Sequence, residues 1–314
     1  MAFDRLAGAW FDPFAPPSDA APAVGDRIDG EYVLAPLLTD AVPTLTDQIE
    51  VATALARASD AALRVTTPMG GPERTTSTPE RAVSGCGNAE ADAGSESDLL
   101  KWALDRASRA APRARGGLTY GRRIVTDVAR TVETGDVTTV VLPGDSPGGI
   151  LRDGVSERIA AHAGCDAVVV NGQSGLGPVP SILLPIAGGP HSGLAADVAA
   201  RVAANNGAWI DVLHVLEEDA GEERRRRAEA CVEAATDRTD RPETTSTWVL
   251  DADDPTEAIV EQSRYYALTV VGAPTKGRLR RLVHGSTNES VRSNAQSVVL
   301  SVHNNSGEPS LSDD

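Results

Sequence analysis

The sequence predicts an α/β protein made of two tandem units, each a mostly parallel five-stranded sheet with helices on both faces. Three observations predict it. Short β-branched runs such as Val140-Val141-Leu142 and Thr269-Val270-Val271 read as strands buried on both sides, and they alternate with segments of helical period. A length of 314 residues suits two domains. The pattern also repeats. Pro36 in the first run corresponds to Pro185, Val140–Gly144 to Thr269–Gly272, and Gly154-Val155-Ser156 to Gly285-Ser286-Thr287. Fourteen positions separate the glycine from the final valine run in each half, Gly154 to Val168 and Gly285 to Val299.

In chain order, residues 1–29 mix Pro, Asp and Ala with Phe3, Trp10, Phe11 and Phe14 and hold no period; they read as a partly ordered tail, with AWFDPF as a candidate docking segment. The first domain spans 30–171. Tyr32 to Leu37 is a strand, Leu45 to Ala58 a helix with Ile49, Ala52, Leu55 and Ala56 aligned, and Ala62 to Val65 a strand. Residues 70–96, rich in Gly, Ser, Thr, Glu and Pro, are a flexible insertion. Ser97 is a candidate cap for a helix carrying Leu99, Leu100, Ala103 and Leu104. Strands follow at Leu118–Ile124, Thr138–Leu142 and Ala167–Val170, with helices at Thr126–Val132 and Val155–Ala163. Residues 172–180 are a linker, and the second domain runs over 181–304. It opens with a strand at Ser181–Ile186, a turn at Gly188-Gly189-Pro190 and a helix at His191–Asn205. Trp209–Leu216 and Thr245–Leu250 are strands around a polar helix at Glu222–Thr236, whose Arg224 to Arg227 suit solvent-facing ion pairs. Asp254-Pro255 starts a helix, because an acidic cap and a proline at the first position both favour one. Thr269–Val271 and Val298–Leu300 complete the sheet, and residues 305–314 form a disordered acidic tail.

Composition narrows the function. Acidic residues outnumber basic ones by 45 to 29, a formal charge of −16, which repels nucleic-acid phosphates. Lysine is nearly absent, a balance that looks like the proteome of a salt-accumulating halophile, where concentrated salt screens self-repulsion. Cys86, Cys165 and Cys231 are far apart and form no CxxC pair, so neither a zinc site nor a disulfide framework is expected. No apolar run approaches the roughly 18 residues of a membrane span, and no signal-peptide pattern is evident; a cytoplasmic protein is expected. Asp251, Asp253 and Asp254 read as capping groups or as a magnesium cluster. His191 is a candidate ligand contact, and His214 reads as a packed strand residue. Without a nucleophile or metal partner beside them, no catalytic centre is assigned.

The stretch from Thr269 to His303 resembles the nucleotide-loop signature of the universal stress protein family: glycine, two residues, glycine, nine residues, then glycine with serine or threonine. Gly272 and Gly285-Ser286 match the outer members at a separation of thirteen positions. Thr275 stands where the middle glycine falls, with Gly277 two places on. From 31 to 303 the repeat resembles a tandem universal stress protein. That resemblance implies Rossmann-like domains of the adenine nucleotide alpha hydrolase type, a stress-responsive regulator without enzymatic activity, an intramolecular pseudo-dimer paired through the final strands, and a candidate homodimer. In this fold the ligand lies at the carboxyl ends of the strands, which puts Pro185, Ile186, Ala187, Val215, Leu216, Val271 and Gly272 around one crevice. The resemblance implies ATP or AMP there, with Mg a candidate companion of ATP. Adenine and ribose would lie against the first two strand ends. The phosphates would lie on Gly272, Gly285, Ser286, Thr287 and Asn288, where glycines let the backbone approach and a helix start offers unpaired N–H groups. Gly277 and the basic Arg278, Arg280 and Arg281 lie in the same loop.

The first half departs from that pattern. Its loop from Gly144 to Gly154 is three residues shorter, Val155 replaces the hydroxyl residue, and Asp145 and Asp153 put negative charge where phosphate would lie. In the second half, Ala187 stands where ATP-binding members carry an acidic residue. Its AGGPH sequence, Ala187 to His191, resembles haloarchaeal members that accompany membrane transporters. The alternative reading is therefore a nucleotide-free module that regulates a transporter or other protein partner.

Overall fold

The computed structural model describes residues 31–69, 81–82, 94–111, 113–120, 124–144, 155–172, 176–188, 191–273 and 297–305. The first half runs β1 (Tyr32–Pro36), α1 (Val42–Ala58), β2 (Ala62–Met69), β3 (Arg81–Ala82), α2 (Gly94–Ser108), β4 (Ala114–Tyr120), α3 (Ile124–Thr134), β5 (Val137–Pro143), α4 (Val155–His162) and β6 (Asp166–Asn171). The second runs β7 (Ser181–Pro185), α5 (Ser192–Asn206), β8 (Trp209–Leu216), α6 (Glu222–Thr239), β9 (Thr245–Asp251), α7 (Pro255–Ser263), β10 (Leu268–Gly272) and β11 (Val298–His303).

All the strands join one sheet in the order β3-β4-β2-β1-β5-β6-β11-β10-β7-β8-β9. Leaving out the short antiparallel β3, both halves have one strand order, with the first strand flanked by the second and the fourth. The halves meet where β6 and β11 pair antiparallel, Ala167 opposite His303 and Asn171 opposite Val299. These are the runs the sequence marks out as apolar, β-branched pairing strands. Within each half the main strands are parallel, which requires crossover helices and buries both sheet faces.

One apolar core crosses the seam. Val33, Ile49 and Leu55 of the first half and Leu184, Val198, Ile210 and Leu300 of the second belong to one cluster and are almost fully buried. Helices α1 and α5 pack side by side over it. On the other face the halves stay separate, with Leu34, Leu142 and Val169 in one cluster and Val271 with Val299 in another. Each large aliphatic side chain buried in this way contributes about 1.5–3 kcal/mol, so the shared face binds the halves firmly.

Three expectations shift. The third long strand is Ala114–Tyr120 rather than Leu118–Ile124, and Ile124 instead begins α3. The Gly116-Gly117 pair disguises the strand. Helix α2 presses on it so closely that a Cβ at Gly116 would lie 2.4 Å from Leu104 Cδ1. Helix α2 starts at Gly94, so Ser97 lies inside it and is not its cap. The segment expected to be a flexible insertion contains β3, paired antiparallel to β4. At the other end the described chain continues past His303 through Asn305. Its side-chain amide donates to the carbonyls of Ala160 at 2.7 Å and Cys165 at 3.0 Å.

Candidate functional site

In the first half β1 and β5 are neighbours whose following helices, α1 and α4, lie on opposite faces of the sheet, the arrangement that leaves room for a ligand at the carboxyl ends of the strands; β7 and β10 are the corresponding neighbours in the second half. In the first half β1 and β5 pair as far as Leu34 with Val140. In the second, β7 and β10 pair as far as Leu183 with Thr269. By the Pro36–Pro185 correspondence these are the same positions. Beyond them both strand pairs splay toward their carboxyl ends.

What fills the two gaps differs. In the first half Gln48 reaches up from α1, and its Nε2 donates to the Pro36 carbonyl at 2.9 Å and the Val141 carbonyl at 2.8 Å. Gln48 is fully buried. Its amide therefore bridges the two strands where they part and occupies the crevice. Ser156, which corresponds to Thr287, donates to the Pro143 carbonyl at 2.7 Å. Counted from the first residue of each helix, the position matching Gln48 is Val198; counted from Pro36 and Pro185 it is Asp197, whose carboxylate is engaged by Arg238 at 2.9 and 2.8 Å, and neither side chain has a donor to bridge carbonyls.

Around the second crevice stand Pro185 and Ile186 at the end of β7, the exposed Ala187 just beyond, and Val271 and Gly272 at the end of β10. Ile186 and Val271 are buried. By strand alternation His214 shares a face with Ile182, Leu184 and Ile186, while Val215 lies on the other face with Leu183 and Pro185. His214 is partly buried, and its Nδ1 has no hydrogen-bond partner among the described residues. Burial pushes its pKa down, with the Ile186 backbone pulling it up. Gly272 must be glycine for want of space, because a Cβ there would meet His191 Cβ at 2.9 Å. His191 in turn accepts a hydrogen bond at Nδ1 from the Asn304 backbone N–H, 3.0 Å away. The sequence-predicted Gly277, Gly285, Ser286, Thr287 and Asn288 lie outside the described residues, as do Thr275, Arg278, Arg280 and Arg281.

The remaining polar groups have other work. Asp254 caps α7, accepting from the N–H groups of Thr256 at 2.9 Å and Glu257 at 3.2 Å. Both carboxylate oxygens of Asp251 accept from Nη2 of Arg225, at 2.8 and 2.7 Å. Arg227 pairs with Glu223 at 3.1 Å on the exposed face of α6. Among the described residues no group of three or more His, Cys, Asp or Glu side chains could hold a metal ion. The Cys165 thiol is pushed up to about 12 by burial and by the adjacent Asp166, far from a thiolate nucleophile. A cavity of about 10 Å³ lies in the first half under Leu34, Thr66 and Val128. An open groove of about 390 Å³ runs between α6 and β9 over Val232, Trp248 and Val249. No described helix is long and apolar enough to cross a membrane.

A doubly wound parallel sheet with its crevice between the first and fourth strands of a unit defines a Rossmann-like α/β protein. Residues 179–303 match the model of the universal stress protein family, so the second half is a domain of that family. The whole fold is similar to that of a universal stress protein from Archaeoglobus fulgidus DSM 4304. The identity is 14%, the TM-score 0.54, and the match covers 87% of this chain and 96% of that one. It is also similar to a functionally unknown protein from Pseudomonas aeruginosa PAO1, at 16% identity and a TM-score of 0.51, over 87% of this chain and 92% of that one. At such identities the likeness establishes the fold. None of the curated proteins matches the sequence.

Proposed function

We propose that this chain is a tandem universal stress protein whose second half binds ATP or AMP and whose first half serves as a scaffold. It acts as a non-catalytic regulator. The observation that carries this reading is the pair of equivalent strand gaps, one bridged by Gln48 and the other without a side-chain donor at the corresponding helix position. Pro185, Ile186, Ala187 and Val215, at the carboxyl ends of β7 and β8, lie nearest the base and ribose. Val271 and Gly272, with Gly277, Gly285, Ser286, Thr287 and Asn288, receive the phosphates on backbone and hydroxyl groups. Gly272 suits that role because its backbone is bare of a side chain. No magnesium step is part of the reading. Calorimetry of the full chain with ATP and AMP in high salt tests it: one nucleotide saturates each chain. The variant Val198→Gln, which places the first half's bridging amide in the second, binds more than tenfold more weakly, a loss of about 1.4 kcal/mol or more.

A second reading, a module that engages a protein partner, draws support from the exposed aromatic groups Trp209, Trp248 and Tyr265, two of them beside the sheet's β9 end. Absence of saturable nucleotide heat favours that reading over the first.

A further inference from the structure

We propose that His191 is a proton-sensitive latch between the mouth of the second-half crevice and the seam joining the two halves. Neutral, it holds the end of β11 against the start of α5; protonated, it releases it. The hydrogen bond from the Asn304 N–H requires a lone pair on Nδ1, so the ring proton sits on Nε2. A second proton would go to Nδ1 and oppose the Asn304 N–H, donor against donor.

The latch has consequences on both sides. Toward the crevice, His191 lies on Gly272 so closely that no Cβ fits between them. Toward the seam, the chain that His191 holds is moored to the first half one residue later. The Asn305 N–H donates to Asp166 Oδ1 at 3.0 Å, and its side chain donates to the Ala160 and Cys165 carbonyls. His303 Nε2 pairs with Glu157 Oε2 of α4 at 3.0 Å. Crevice floor, strand end and first half therefore meet through one imidazole.

The groups facing His191 are known from each packed element. From β11, His303 presents its ring with centroids 5.9 Å apart. From α4, Glu157 neutralises His303 when that ring is charged. From β6, Asp166 supplies a carboxylate, which Arg201 of α5 also feels. Burial holds the His191 pKa below its ordinary value, His303 lowers it further, and Asp166 pulls it up. The lowered direction matches a ring kept neutral to accept a bond. The latch is closed above the ordinary histidine value of about 6.5 and opens as pH falls through the lower folded value.

The latch itself stands on contacts within the chain; its effect on ligand affinity rests on the nucleotide-binding reading. Hydrogen exchange at the Asn304 amide, in the full ligand-free chain between pH 7.5 and 5, tests it. Protection corrected for the intrinsic rate falls about fivefold or more in the wild type. In His191→Asn, whose Oδ1 can accept the same bond without titrating, it stays level. Constant protection in the wild type, or an equal fall in His191→Asn, overturns the latch. With ATP as probe, wild-type affinity falls over the same range and that of His191→Asn does not. Affinity that holds level while Asn304 is released overturns the coupling to the crevice. Failure of ATP to bind at any pH removes the ligand reading alone, since the exchange result still decides the latch.

Discussion

The two crevices begin as the same object and end differently. Leu34 with Val140 and Leu183 with Thr269 are the last paired positions before the strands part, and both gaps lie beneath a helix that starts six or seven residues after the strand. In the first half a single buried amide converts the gap into a structural joint. In the second, no side-chain donor stands at the corresponding helix position, and His191 packs against Gly272 at the end of β10. The same strand order can thus carry a gap closed by a buried side chain in one half and a gap without such a bridge in the other, because one amide satisfies backbone carbonyls where the strands part.

The comparison can be broken from either side. The largest effect on stability is expected from Gly272→Val, because a branched side chain must displace the His191 backbone. A loss of about 1–3 kcal/mol is expected in chemical denaturation, with the Asn304 bond disrupted as well. Next is Gln48→Leu, which removes both hydrogen bonds and leaves the Pro36 and Val141 carbonyls to find other partners, a cost of about 1–3 kcal/mol. This variant also sharpens the comparison. Nucleotide stoichiometry should stay at one per chain, because Val155, Asp145 and Asp153 still oppose phosphate in the first half. A second nucleotide in Gln48→Leu would mean that the bridging amide alone had silenced that half. Asp254→Ala, which removes the cap of α7, should cost about 1 kcal/mol in chemical denaturation. The smallest effect is the pH dependence. His191 and His214 both have folded-state pKa values lowered by burial. Their contribution to stability is therefore complete above about 6.5 and is lost as pH falls through the folded values. Thermal unfolding of His191→Asn between pH 5 and 7.5 should show a shallower decline than the wild type.

Much of the architecture was legible because it is written in local pattern. The eight-residue alternation of β8 has the expected limits, Trp209 and Leu216. Asp254-Pro255 starts α7 as an acidic cap and first-turn proline should. The β-branched runs Ala167–Val170 and Val298–Ser301 do pair with each other. Glycine inside β4 hid that strand, because its residues were chosen for close approach of Leu104 rather than for strand propensity. The decisive features of the crevices were not legible for a different reason. Gln48 bonds a carbonyl 93 positions away, and His191 accepts from a backbone group 113 positions away. Such pairings depend on which helix lies over which strand gap, and residue spacing does not contain that. Polar Gln48 next to the inward-facing Ile49 was the one available hint, since a buried amide must find partners.

The most direct measurement is calorimetric titration of ATP into the wild type and into Val198→Gln, both verified as folded by circular dichroism. The account predicts saturation at one nucleotide per chain in the wild type and loss of that binding in the variant. Unchanged affinity in Val198→Gln, or saturation at two per chain in the wild type, would contradict it.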